Sequence, residues 1–200
     1  MAIHHLDAFR ELAQERIDRY QSPEEKMREI YRIKSGDVCA EIGVWKGEFS
    51  ERILRQHPSK LHLIDPWVHQ DFPVDDPAEL RIYCCEQKEM DRIYKDVVNK
   101  FAGNETVEIH REFSANTVFA EKYFDWVYVD GNHSYENVLE DLRHYLPFIK
   151  NGGLLCGDDY GANDGDPYSN GGPERAVQEF IEETGLEVEI TGTQFCIKVS

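Results

Sequence analysis

The stretch Val38-Cys39-Ala40-Glu41-Ile42-Gly43-Val44-Trp45-Lys46-Gly47 decides how the rest of the chain is read. An apolar run of strand length breaks at Gly43, and a helix-like segment begins near Glu48. Glycine at 43 and 47 lets the chain turn tightly and lets a ligand approach the backbone. The stretch is not G-x-G-x-x-G and has no Lys-Ser/Thr pair, so dinucleotide and triphosphate readings both lose ground. Taken alone it also fits an ordinary strand-to-helix turn, and the segments on either side must choose.

Outward from it, short apolar runs recur at Leu61 to Ile64, Val107 to Ile109, Trp126 to Val129 and Leu154 to Cys156. Runs that are apolar on both faces read as buried parallel strands. Helix-like segments at about 47–56, 78–101, 115–121 and 135–146 alternate with them, which is the signature of an open, doubly wound α/β sheet. The tail breaks the rhythm: a helix over about 173–184 leads to Glu187 to Ile190, the turn Thr191-Gly192-Thr193, and Phe195 to Val199, a closing hairpin with an antiparallel edge strand. The turn Asn151-Gly152-Gly153 is expected to precede the fifth strand.

Toward the N-terminus, Ile3, Leu6, Phe9, Ala13, Ile17 and Tyr20 recur at helical spacing. Ser22-Pro23-Glu24-Glu25 restarts a helix with a cap and a first-turn proline, and Met27, Ile30 and Tyr31 carry its apolar face to Ser35-Gly36. The division expected is a helical cap over 1–35 and the catalytic unit over 36–200, with the apolar stripe of the cap helices available for pairing two copies of the chain.

The 200 residues carry 39 acidic against 22 basic side chains, a formal charge of −17. A nucleic-acid binder needs a basic face to displace counterions, and an anionic membrane attracts the basic clusters that are missing here. Hydrophobic residues at 40% suffice for one full core. No apolar window reaches ~18 residues and Met1 to Tyr20 is charged throughout, so neither a membrane span nor a signal peptide is expected, and the expected compartment is the cytoplasm. Of the five cysteines, Cys39, Cys156 and Cys196 lie in strand-like runs and read as small buried hydrophobes, whereas the pair Cys84-Cys85 has no partner pattern for a metal.

The acidic residues at strand ends carry the chemistry. Strand two ends in Asp65-Pro66-Trp67, about 20 residues past the first glycine, where a carboxylate can accept both hydroxyls of a ribose. Asp65 could instead cap the following loop, and Trp67 could cover a ligand or the core. Strand four ends in Asp130-Gly131-Asn132-His133, and strand five in Gly157-Asp158-Asp159-Tyr160. As sheet neighbours about 5 Å apart, they would bring Asp130, Asp158 and Asp159 into one crevice. Three such carboxylates repel unless a cation or protons intervene, and all-oxygen ligation selects Mg²⁺ or Mn²⁺. His133 is then the natural proton acceptor. The competing reading is that the aspartates cap loops at a solvated rim.

Together, Glu41-x-Gly43-x-x-x-Gly47, Asp65, the segment Phe124 to Tyr135 containing Asp130-Gly131-Asn132-His133-Ser134-Tyr135, and Gly152-Gly153-Leu154-Leu155-Cys156-Gly157-Asp158-Asp159-Tyr160 resemble the class I S-adenosylmethionine-dependent methyltransferases. Within that class they look most like the macrocin O-methyltransferase and cephalosporin-hydroxylase-like branch. The resemblance covers about residues 36–199. It implies a Rossmann-like seven-stranded sheet of order 3-2-1-4-5-7-6 with the last strand antiparallel. It also implies that the methionine moiety lies at Glu41 to Gly47, the ribose on Asp65 beside Trp67, and the adenine against Phe113 and Ser114. Asp130 then serves the cofactor, the metal and catalysis, with Asp158 and Asp159 as further Mg²⁺ ligands and His133 as base. The bulky Val44-Trp45 departs from the glycine that many members carry there, and the loops 66–78 and 159–173 match no pattern. The activity implied is Mg²⁺-dependent O-methylation of a small hydroxylated molecule, a sugar or glycosylated metabolite. A non-catalytic S-adenosylmethionine-binding or interaction module on the same fold, and an NAD-linked dehydrogenase, stay open as alternatives.

Overall fold

The computed structural model describes residues 23–69, 86–161 and 171–200. The expected helix over Ile3 to Tyr20, the Ser22 cap, Cys84-Cys85, the start of the 78–101 segment and most of both acidic loops lie outside the described residues.

The chain forms α1 (Pro23–Ile30), β1 (Val38–Ile42), α2 (Glu48–Leu54), β2 (Lys60–Ile64), α3 (Gln87–Lys100), β3 (Val107–His110), β4 (Phe124–Val129), α4 (Tyr135–Tyr145), β5 (Ile149–Gly157), α5 (Gly172–Thr184), β6 (Val188–Thr191) and β7 (Gln194–Lys198). The seven strands form one sheet in the order β3-β2-β1-β4-β5-β7-β6. The β1–β2, β1–β4, β2–β3 and β4–β5 pairs are parallel, and β7 runs antiparallel to both its neighbours, as the hairpin pattern predicts.

Strand alternation sorts the central strands onto two cores. Ala40, Ile42, Ile64, Val127, Val129 and Leu155 face α4 and α5, where they meet Leu139, Leu142, Val177 and Phe180. Cys39, Leu61, Leu63, Trp126, Tyr128 and Cys156 face the other way, onto Ile30, Ile53, Met90, Ile93 and Val97. Each fully buried large side chain contributes about 1.5–3 kcal/mol, and helices on both faces explain why these strands carry no polar side. Cys39, Cys156 and Cys196 are buried as expected. Ile30 and Ile33 belong to the second core, so α1 packs on the sheet.

Three local expectations are corrected. α1 ends at Ile30, its chain tightening through Arg32 N–H to Glu29 and Ile33 N–H to Ile30, and Tyr31 is left exposed. The segment 115–121 forms only a 3₁₀ turn over Ser114–Asn116, because the Thr117 hydroxyl takes the Ser114 carbonyl at 2.7 Å and competes with helix propagation. Asn151-Gly152-Gly153 is an irregularity inside β5, which already pairs Ile149 with Phe124 before Leu154 pairs with Trp126.

Candidate active site

The C-terminal ends of β1, β2, β4 and β5 meet at one rim, the place where open α/β sheets bind ligands. Gly43 makes the meeting possible. Its φ is +86°, its N–H donates to the Ile64 carbonyl at 2.9 Å, and a Cβ there would stand 2.1 Å from the Asp130 carbonyl oxygen. Gly47, also left-handed, precedes α2. Glu41, 1% exposed, accepts the Ser50 hydroxyl and so ties the end of β1 to that helix.

Asp65 holds the first turn in place. Its Oδ2 accepts the N–H groups of Val44 at 3.0 Å and Trp45 at 2.9 Å, and its Oδ1 accepts Trp67 N–H at 2.7 Å. Burial pushes its carboxyl up, and these three amides pull it back. Trp45 and Trp67 both have positive φ, 52° and 43°, a strained state for bulky residues that persists only where the surroundings enforce it. Besides the Asp65 bonds, the Trp67 indole donates to the Trp45 carbonyl at 2.9 Å. Of the two options for Trp67, the structure shows the core one: the side chain is fully buried, its ring 5.1 Å from that of Tyr94. The option that Asp65 caps the following loop, left open by the sequence, is realised by the Trp67 bond alone; the other two tie it to the turn after β1.

Phe113 is half exposed and Ser114 adjoins it after β3. The Ser114 hydroxyl donates to Asp141 on α4, a carboxylate that burial pushes up to about 7. Sequence reading missed Asp141. The signal was present, since Asp141 follows Val138 and precedes Tyr145 at helical spacing on a face that is otherwise apolar.

Of the three carboxylates expected to gather at the strand ends, the structure turns Asp158 away from the other two. Asp130, His133 and Asp159 are brought together, their donor atoms within 4.8 Å of one another, and Asp158 is not among them. Asp158 N–H continues the ladder to the Val129 carbonyl, so its side chain and that of Asp159 leave the strand in opposite senses. Asp158 is buried, and its Oδ1 accepts the Asp159 N–H at 2.8 Å, the Thr193 hydroxyl at 3.1 Å and the Gln194 amide. Gln194 in turn accepts the buried Tyr128 hydroxyl. This network pins the β6–β7 hairpin to β4 and β5. Gln194 was also missed, because nothing in its local sequence marks an inward-facing amide.

Asp159, at φ 60°, turns back toward His133, whose Nδ1 lies 2.6 Å from its Oδ2. His133 Nε2 stands 3.5 Å from Asp130 Oδ1 and is buried without a hydrogen-bond partner among the described residues. Burial works against the charged imidazole, but Asp159 and Asp130 outweigh it and hold its pKa well above the usual range. A carboxylate that orients one ring nitrogen while the other faces a second carboxylate is an arrangement that can hold and move a proton.

A family model described as a methyltransferase domain matches residues 40–160, a span that holds Gly43, Asp65, Asp130, His133 and Asp159. No curated protein matches the chain. Among solved structures, a Corynebacterium glutamicum protein is 14% identical with a TM-score of 0.61, covering 100% of this chain and 98% of its own. A SAM-dependent methyltransferase from Aquifex aeolicus is 18% identical with a TM-score of 0.54, covering 90% and 89%. The N-methyltransferase NodS from Bradyrhizobium japonicum WM9 is 14% identical with a TM-score of 0.56, covering 88% and 96%. At such identities these likenesses speak for the fold alone. The family match takes in more than half of the chain and all four of the parallel strand ends at the rim, and on it this chain belongs to the methyltransferase-domain family.

Proposed function

We propose that the protein transfers the methyl group of S-adenosylmethionine to a hydroxyl of a small neutral molecule, a sugar or glycosylated metabolite, with the help of Mg²⁺. The observation that carries the reading is the Asp159–His133–Asp130 group at the ends of β4 and β5, beside the glycine turn of a methyltransferase domain. The cofactor's methionine end is assigned to the turn from Glu41 to Gly47 and its adenine to Phe113 and Ser114. The ribose is assigned to the remaining acceptor capacity of Asp65, whose carboxylate shapes the same turn.

Methyl transfer from a sulfonium forms no enzyme intermediate and needs the acceptor oxygen in line behind the methyl group, and such placement alone contributes ~7–11 kcal/mol. A neutral hydroxyl must also lose its proton. His133 Nε2 is the atom assigned to take it, with Asp159 fixing the ring through Nδ1. The donor set fits a hard cation: Asp130 and Asp159 each bring a carboxylate oxygen within 4.8 Å of the other and of a His133 ring nitrogen, and carboxylate oxygens are the donors that Mg²⁺ prefers. Asp130 and Asp159 would hold such an ion, which would supply a positive charge to polarise the acceptor hydroxyl and to offset the carboxylate field that keeps His133 charged. The acidic balance of the chain favours neutral over phosphorylated acceptors.

The test is a methyl-transfer screen of neutral hydroxylated metabolites with labelled S-adenosylmethionine, with and without chelator. Transfer to oxygen is expected, abolished by chelation and restored by Mg²⁺ or Mn²⁺, while cofactor binding persists; His133→Ala should lose about 10²–10⁴ in rate. Transfer that is indifferent to chelation would remove the metal from the reading, and cofactor binding without any transfer would favour a non-catalytic module.

A further inference from the structure

Outside the Asp130–His133–Asp159 group, β2 and the edge strand β3 bring three metal-binding side chains to one face of the sheet. His62 and Glu108 are register partners across the parallel pair and His110 lies two residues on, so strand alternation points all three the same way. Their donor atoms lie within 4.8 Å of one another. His62 Nδ1 faces His110 Nε2 at 2.9 Å, and Glu108 Oε1 stands 3.7 Å from that same nitrogen. Donors around a tetrahedral ion bound at about 2.0–2.1 Å sit about 3.3 Å apart, so these two separations bracket the required one by a few tenths of an ångström.

The atoms facing away from the group are engaged as well. His62 Nε2 lies 3.1 Å from the Tyr123 hydroxyl, His110 Nδ1 lies 3.7 Å from Glu112 Oε1, and Glu108 Oε2 pairs with Lys60 Nζ at 3.2 Å. An imidazole whose outer nitrogen is directed at a hydroxyl or carboxylate turns its inner nitrogen toward a metal with the lone pair exposed. The His62 ring is itself held by Phe119 and Phe124, with ring centroids at 5.1 and 5.5 Å. Glu108, by contrast, is exposed on the edge strand, which leaves the group open to solvent on one side.

We propose that His62, Glu108 and His110 form a second metal site, which takes a borderline divalent ion of the zinc type with a water in the fourth position. Two imidazoles and one carboxylate select Zn²⁺, Co²⁺, Ni²⁺ or Cu²⁺ over Mg²⁺ and Ca²⁺, so the site differs in kind from the oxygen-rich group at the strand ends. A bound ion clamps the edge strand β3 to β2.

The test is a Co²⁺ titration of the full chain after chelator treatment, read by visible absorption. The expected result is an intense band of a low-coordinate ion that saturates at a single equivalent, bleaches on adding Zn²⁺, and is accompanied by a Zn²⁺-induced rise in the unfolding temperature. Glu108→Gln, an exposed replacement that spares the core, and His110→Ala should each weaken Co²⁺ binding about tenfold or more, and Tyr123→Phe about tenfold through the outer nitrogen of His62. Asp159→Asn should leave the band unchanged. Absence of the band, or a band of full affinity in Glu108→Gln, would overturn the site and leave an imidazole pair joined by a hydrogen bond.

Discussion

Asp141 sits between Val138 and Tyr145 on the buried face of α4, where burial lifts its carboxyl to about 7 and the Ser114 hydroxyl offsets only part of the cost. An aspartate in an unfolded chain titrates near 3.9. The folded state therefore favours the protonated form; the group's contribution to stability is complete below about pH 4 and is lost as pH rises through 7. Asp141→Asn keeps an acceptor for Ser114 without the charge. It should be more stable than the parent at pH 8, by on the order of 2–4 kcal/mol, and the difference should shrink steadily toward pH 5 in thermal unfolding. A difference that does not change with pH would show that Asp141 is ionised and satisfied. At this scale the sequence makes Asp130, His133 and Asp159 legible as strand-end residues. It does not separate Asp158 from Asp159, because which of two adjacent carboxylates turns inward depends on a ladder bond to Val129 and a left-handed φ at Asp159.

The turn between β1 and α2 is held by crowding as much as by hydrogen bonds. Gly36 and Gly43 have almost the same φ, +92° and +86°, but a Cβ at Gly36 would meet nothing within 4 Å, whereas one at Gly43 would meet the backbone of Asp130. Replacing each by alanine separates strain from collision. Gly36→Ala should cost about 1 kcal/mol, and Gly43→Ala about 2–4 kcal/mol, since β1 and β4 must move apart. Denaturant unfolding measures both, and equal costs would mean that the β4 loop yields freely. The elements themselves were largely readable, since buried parallel strands and amphipathic helices carry their period in the chain. The failures fell at Tyr31, where the helix has already tightened and left the ring exposed, at Thr117, where a side chain captures a carbonyl, and at Gly152-Gly153, where glycines expected in a turn serve an irregularity within β5.

For the whole molecule, a ligand that binds only the folded state raises stability by RT ln(1 + [L]/Kd), about 2.7 kcal/mol at a hundredfold excess over Kd. S-adenosylmethionine should therefore raise the unfolding temperature by several degrees, and NAD should not, because the first turn lacks the glycines that admit a pyrophosphate. A thermal-shift panel decides this, and stabilisation by NAD alone would refute the cofactor assignment. No helix among the described residues is long and apolar enough to cross a membrane, and a charge of −17 opposes contact with nucleic acid across the surface at large.

By itself the sequence determined the alternation of strands and helices, the antiparallel closing hairpin and the strand ends that carry the acidic residues, since these follow from hydrophobic period and turn glycines, which are local or nearly so; the order of the strands came from the family resemblance and was borne out. Only the tertiary structure decided the partners. Asp65 binds three amides from two loops, Asp158 joins Gln194 of β7 and through it Tyr128 of β4, the strands on either side of β5, and the buried Trp67 donates to the Trp45 carbonyl. The reason is physical: a polar side chain at a strand end has several donors within reach once the strands are aligned, and which one it takes depends on the packing of segments 20 to 36 residues away along the chain.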